Sequence, residues 1–234
     1  MAITFVQAAT GAINATVTTG NQPFGVNVTI NDLLIAMLYI IPGGTNVSMS
    51  CTDSQGNSWS PVVVRTSPDV NGNSFSVWTT FAKATGANTI TWTVSPAAYL
   101  IAACAEYSGW GSSTVYIDNV VTNGVAAPSL NFAPFTINPR KQPELVGAFS
   151  VIGASETTST FNAPFTIRAG ASALGVNSPY GESITASLVS QSFSGSTTTN
   201  TGASDSVGFA LSPTPLTGAG GGDLGPGFDL KIKL

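Results

Sequence analysis

Between Asn88 and Ser95 the chain reads NTITWTVS, in which Ile90, Trp92 and Val94 alternate with Thr89, Thr91, Thr93 and Ser95. A period of two sends successive side chains to opposite faces of an extended chain, so this stretch predicts a half-buried strand with a hydroxyl-covered outer face. SFSVWTTF follows the same rule: Phe75, Val77 and Phe81 share one side, and Ser74, Ser76 and Thr80 the other. Only Trp78 breaks it, by standing on the polar side. Three further runs are apolar without alternation: LLIAMLYII (33–41), YLIAACAEY (99–107) and ELVGAFSVIG (144–153). Runs of this kind suit central strands covered on both faces, by a second sheet or by a neighbouring subunit.

Further strands are predicted over residues 3–8, 13–18, 46–52, 58–66, 115–121, 164–168, 183–193 and 205–211. PGG at Pro42, DVNGN at Asp69 and TGAN at Thr85 supply the turns between many of them. The pattern predicts an all-β chain: an antiparallel β-sandwich of jelly-roll type, one domain over residues 1–211, with no internal repeat. At residue 212 the composition changes. SPTPLTGAGGGDLGPG (212–227) has the glycine and proline content of a flexible tether. It leads into FDLKIKL (228–234), where Phe228, Leu230, Ile232 and Leu234 alternate with Asp229, Lys231 and Lys233. A lone amphipathic strand is unstable in water, so this extended C-terminal arm is expected to dock its four apolar side chains on a sheet edge or groove of another subunit or of a larger particle.

Composition narrows the chemistry. Apolar residues make up 43% of the chain and charged residues only 8%, against about 25% charged in an ordinary globular protein, so the surface must be built from Ser, Thr, Asn, Gln and Gly. Eleven acidic and 7 basic side chains, with no basic cluster beyond Arg140-Lys141, give no footprint for nucleic acid or anionic lipid. MAITFVQAATGAINA lacks the charged start and apolar run of a secretory signal, and LLIAMLYII is too short to span a bilayer. Histidine is absent, which removes imidazole bases, Ser-His-Asp arrangements and most transition-metal sites. Cys51 and Cys104 read as two buried free thiols or as one disulfide between neighbouring strands. The sparse charge and continuous apolar strands imply more hydrophobic surface than one sandwich hides, so a homo-oligomer, a trimer, is expected.

Three stretches are candidates for chemistry. CTDSQGNSW (51–59) lacks the alternating oxygens and distal carboxylate of a calcium loop, and reads as a hairpin turn in which Asp53 and Asn57 bond their own backbone and Gly56 supplies a positive φ. Glu106, in AEYSGW, shares a strand face with Leu100, Ala102 and Cys104 and is expected to be a structural acceptor. A glycosidase needs a second carboxylate, and Asp53, Asp118, Glu144, Glu156, Glu182 and Asp205 form no recognisable pair in sequence. Of the aromatics Trp59, Trp78, Trp110, Tyr116 and Tyr180, only Trp78, on a polar strand face, and Trp110, in a glycine-rich loop, stand out as contact aromatics for sugar or subunit. No catalytic residue, metal site or cofactor follows from the pattern.

Taken in order, NDLLIAMLY, DSQGNSW, TITWTV, EYSG and PELVGAF resemble a β-sandwich module met in phage virion proteins and in some bacterial surface proteins, over roughly residues 13–212. The nearest functional analogue is the capsid decoration, or cement, protein of tailed phages. The resemblance implies a non-enzymatic virion structural protein on the capsid surface, assembled in the host cytoplasm, with the major capsid protein or another virion protein as partner. The alternative is a carbohydrate- or receptor-binding module of a tail fibre or adhesin, which requires an exposed aromatic platform.

Overall fold

The computed structural model describes residues 2–41, 47–65, 73–125, 129–153, 159–173, 176–198 and 203–215. These form strands β1 (Thr4–Pro23), β2 (Leu33–Ile41), β3 (Ser48–Asp53), β4 (Ser60–Arg65), β5 (Ser74–Phe81), β6 (Thr89–Ser108), β7 (Tyr116–Val125), β8 (Phe135–Ile137), β9 (Glu144–Ile152), β10 (Ser159–Phe161), β11 (Thr166–Ala173), β12 (Val176–Thr185), β13 (Gln191–Phe193), β14 (Gly195–Thr197) and β15 (Ser204–Ser212). Every strand pairing is antiparallel, and no helix occurs among the described residues. One large sheet has the order β1-β6-β2-β5-β4, with β3 also on β6. The other has the order β11-β12-β9-β15-β7. They pack face to face as a β-sandwich.

The first sheet uses only residues 4–108 and the second only 116–212, so the chain does not pass back and forth between sheets as jelly-roll winding requires. The strands expected over 3–8 and 13–18 are one strand, β1, which follows β6 along its length with register shifts between Ile13 and Thr19. The strand expected over 183–193 is interrupted: β12 ends at Thr185, and β13 starts at Gln191 in a different, two-stranded sheet with β8.

The unalternating runs explain the layering. In β2, Leu33, Ile35, Met37 and Tyr39 face the second sheet, while Leu34, Ala36, Leu38 and Ile40 face away from it into a separate apolar cluster. That outer cluster is closed by the chain itself. β6 pairs with β2 over residues 99–107 and with β3 over 90–95, and the irregular register between these halves bends the sheet. Ile90, Trp92 and Val94 of β6, with Met49 and Cys51 of β3, thereby fold onto the outer face of β2. The second sheet is treated alike: Leu145, Phe149 and Val151 of β9 face inward, and Val146, Ala148 and Ile152 face a third cluster. Its cover comes from the two small sheets, β13-β8 and β10-β14, with the Phe193 ring stacked on Phe135 at 4.6 Å and edge-on to Phe161 at 4.7 Å.

The apolar runs are thus buried within one chain, and they no longer argue for covering subunits. The same layering overturns the outward reading of β5. Ser74, Ser76 and Thr80 are buried, because the face they share with Trp78 lies partly under the outer cluster, where Trp78 packs with Trp59 and Val64. Cys51 and Cys104 are free and buried in that cluster. A short repeat also becomes visible. APFTI occurs at 133–137 and again at 163–167, and it delivers Phe135 and Phe165 to the third cluster, 6.2 Å apart and edge to face.

Two glycines are fixed by this packing. A Cβ on Gly147, on the inner face, would lie 2.2 Å from the Phe209 ring of the facing strand, and one on Gly208, on the outer face, 2.3 Å from the Phe135 ring. Both rings belong to buried clusters and have nowhere to retreat. Gly208→Val and Gly147→Val should each destabilise the fold by about 2–4 kcal/mol through overpacking. Urea unfolding checks this; a midpoint equal to wild type would show that the rings move aside.

Candidate functional site

DSQGN is a turn, but it closes no hairpin. β3 pairs with β6 and β4 with β5, so the segment carries the chain across the sheet to its far edge. Asp53 organises it: its carboxylate accepts the backbone N–H groups of Gln55 (3.2 Å) and Asn57 (2.9 Å), the side-chain amides of Asn57 (2.7 Å) and Asn88 (3.1 Å), and the Trp59 indole N–H (3.0 Å). Burial pushes this carboxyl up, but the bonds from Asn57, Asn88 and Trp59 prevail and hold it below its ordinary value. Gly56 adopts φ 66°, as the turn needs. A carboxylate has about four acceptor positions, and protein donors take them. Among the described residues, no cluster of three or more His, Cys, Asp or Glu side chains is placed to hold a metal ion.

Carboxylates far apart in sequence meet in the fold. Glu106 lies where its strand face predicts, fully buried, and accepts the Thr29 N–H at 2.7 Å and the Gln7 side-chain amide at 2.5 Å. Asp32 adjoins it and is pushed up to about 6, first by burial and then by the hydrogen bond and charge of Glu106. The second pair is Asp118 and Glu144. Asp118 accepts the Arg140 backbone N–H at 2.7 Å and forms a salt bridge with the Arg140 guanidinium. Glu144, fully buried, is raised to about 9 by burial first and by Asp118 second, with Arg140 opposing. Neither Glu144 oxygen has a hydrogen-bond partner among the described residues, as suits a buried carboxyl that keeps its proton.

Neither pair has the layout of a hydrolase. Two carboxyls that flank a scissile bond stand about 5–9.5 Å apart across the substrate, whereas Glu106 is sealed by its own donors and Glu144 is fully buried. Glu182, also buried, pairs with Arg168 at 2.7 Å, and Asp205 accepts the Asn73 amide at 2.6 Å. Glu156 lies outside the described residues. The pairs were missed because Asp118 and Glu144 stand in no pair motif along the sequence, and Asp32 was not weighed beside Glu106.

The aromatic candidates do not gather on the surface. Trp110 is 3% exposed and belongs to the core between the sheets, its indole N–H donating to the Thr114 carbonyl at 3.0 Å. The flanking Gly109 and Gly111, both at positive φ, fold the loop so that the indole turns inward. This corrects its reading as a contact aromatic. Tyr180 is buried against Tyr107, hydroxyl to hydroxyl at 2.6 Å, while Trp59, Trp78 and Tyr116 are half-buried. Large apolar side chains exposed among the described residues are aliphatic, with Val26, Leu188 and Val189 the most open. The arm residues Phe228, Leu230, Ile232 and Leu234 lie outside the described residues.

The described surface also has concave features. Between the β4-β5 margin of the first sheet and the start of β7 in the second lies a cleft of about 270 Å³, lined by the hydroxyls of Ser58, Ser60, Thr80 and Thr114 and by Phe81 and Ile117. A second hollow of about 280 Å³, formed by Asn31, Phe81 and residues 111–113, continues it past Phe81. Val63, Phe81 and Val115 are partly exposed members of the intersheet core, so the core reaches solvent here. At the opposite margin, Arg168 of β11 lies over Phe5 of β1 at 4.3 Å while pairing with Glu182. The cleft has neither a charged nucleophile nor a titratable lining.

The pH dependence of stability follows from the two pairs. Each raised carboxyl binds its proton more tightly folded than unfolded, so its contribution is present at low pH and lost as pH rises. For Asp32 the loss runs from 3.8 to about 6, and for Glu144 from 4.5 to about 9. Asp53 acts oppositely, only as pH falls below its ordinary 3.8. The thermal midpoint should therefore be highest near pH 4–5 and fall toward pH 9. Asp32→Asn should flatten the early part of that fall and Glu144→Gln the late part. A midpoint that rises from pH 5 to pH 9 would contradict the assignment of both protons.

Compared with protein-family models, curated proteins and solved structures, the chain shows no significant match to any of them.

Proposed function

We propose that this chain is a non-enzymatic structural subunit of a virion, a capsid decoration or cement protein that binds through an arm rather than a pocket. The observation that carries this reading is the anchorage of the arm. β15 is buried along its whole length between β9 and β7, and the glycine- and proline-rich segment begins directly after it at Ser212. A segment pulled by a partner therefore pulls on a central strand, whose rupture requires unfolding of the sheet. The resemblance of the ordered strand motifs to phage virion modules supports the same role, as does a surface of hydroxyls and amides with little charge. The proposed partners are copies of this chain, in a trimer, and the major capsid protein or another virion protein. The proposed place is the capsid surface.

Quantitative mass spectrometry of purified particles tests the reading. A copy number at shell stoichiometry is expected; a few copies per particle would place the protein in the tail, and its absence from particles would end the proposal. Removal of residues 218–234 should leave the circular dichroism spectrum and thermal midpoint of the sandwich in place while abolishing retention on particles. Retention without the arm would show that the body binds by itself.

A further inference from the structure

We infer that the cleft between β4-β5 and the start of β7 is the acceptor for the C-terminal strand Phe228–Leu234 of a neighbouring copy of this chain. The inference rests on the arm reading above and names the site that reading lacks.

Three observations converge on this cleft. The first is position. Ser212, the last residue of β15, pairs with Tyr116, and the next residues on either side of Tyr116, Val115 and Ile117, line the cleft. At this point the chain turns out of the sheet, Ser212 Oγ accepting the Thr214 N–H at 3.2 Å. The arm therefore leaves the body at the rim of the cleft. The second is complementarity. The intersheet core comes to the surface on this margin through Val63, Phe81 and Val115, with Ile117 beside them 41% exposed. FDLKIKL has one apolar side, Phe228, Leu230, Ile232 and Leu234, and one polar side. Laid in the cleft, it covers the leak with the first and leaves Lys231 and Lys233 in water among the serine and threonine hydroxyls.

The third is reach. The cleft of the same copy starts one strand spacing, about 4.8 Å, from Ser212, which a turn of a few residues would cover. Residues 213–227 supply fifteen, with a flexible-chain span of about 20–23 Å and a larger extended one. That span fits transfer to the next subunit and closes a ring of copies head to tail, a heterologous contact that repeats around one axis. Pro61, which has no N–H, and the register shift between Pro61 and Val63 interrupt any regular ladder at the start of β4. The apolar stripe, rather than backbone pairing along β4, holds the occupant.

The test uses the full chain with Ile117→Cys and Ile232→Cys together, oxidised under native conditions; the native Cys51 and Cys104 are buried and do not compete. The expected product is a ladder of covalent dimers and higher oligomers on denaturing gels, absent from either single variant. A cross-linked monomer would overturn the neighbouring copy as occupant, and no cross-link would overturn the cleft as the site. In parallel, full chains carrying Leu230→Asp with Ile232→Asp, or Ile117→Asp, should elute as monomers with thermal midpoints unchanged. Because the arm pair lies beyond β15 in the sequence, its result stands even if Ile117→Asp perturbs the body. If the arm variant dissociates the oligomer while Ile117→Asp does not, the cleft fails and the arm stands; if neither dissociates it, both fall.

Discussion

Everything in this fold follows from the fact that three strands, β2, β6 and β9, carry apolar side chains on both faces over long stretches. A sandwich of two sheets covers one face of each, and at about 25 cal/mol per Å² the other faces are too costly to leave in water. The chain resolves this by building a cover on each outer side. A bend in β1 and β6 folds β3 over the first sheet, and four short strands with a phenylalanine cluster close the second. The result has three apolar layers in 234 residues with only 8% charged side chains. A surface of hydroxyls and amides serves because so little of the apolar content remains to be kept apart from neighbours.

Such depth makes every buried polar group a matter of partners. Tyr107 from one sheet and Tyr180 from the other meet hydroxyl to hydroxyl beside Glu182, and burial, together with that acid, holds both phenols far above the usual range. Glu182 in turn pairs with Arg168, which lies flat on Phe5. This one chain of contacts ties β6, β12, β11 and β1. Asp118 plays a comparable part on the other half, holding the segment before β9 to β7 through Arg140. In both places an acid is kept where a hydrophobe of equal size would pack as well, which fixes which strands are neighbours rather than adding much stability.

The local rules were legible and the long-range ones were not. Alternation placed Ile90, Trp92 and Val94 inward and Glu106 on the face of Leu100 and Cys104, since side-chain direction in a strand depends only on position. The turn chemistry of Asp53, Gly56 and Asn57 was readable because its bonds span at most four residues, apart from those of Trp59 and Asn88. That the turn joins no hairpin was not readable, because strand pairing is a property of the whole chain. The same distance hid the meeting of Asp32 with Glu106 and of Asp118 with Glu144. Trp110 misled for a different reason: glycine-rich flanks suggest an exposed loop, yet here they supply the positive φ that tucks the indole under the sheet. The APFTI repeat was present to be seen, but five residues are too few to announce a structural unit until their phenylalanines are found on one cluster.

The two lateral margins of the sandwich then differ in kind. On the β1-β11 side an arginine over a phenylalanine ring, a buried glutamate and a tyrosine pair bridge the two sheets. On the β4-β7 side the sheets part, and the space is lined by short hydroxyl side chains that reach too little distance to bridge it. β4 also carries the devices that keep a free edge from pairing at random: it is short, has Pro61 as its second residue and bulges before Val63. An edge that is open in shape but blunted for backbone pairing rejects an arbitrary strand and still admits one whose side chains match the gap. Selectivity at this margin therefore resides in Phe81, Val115 and Ile117, and the pattern of the incoming segment must be apolar at every second residue to use them.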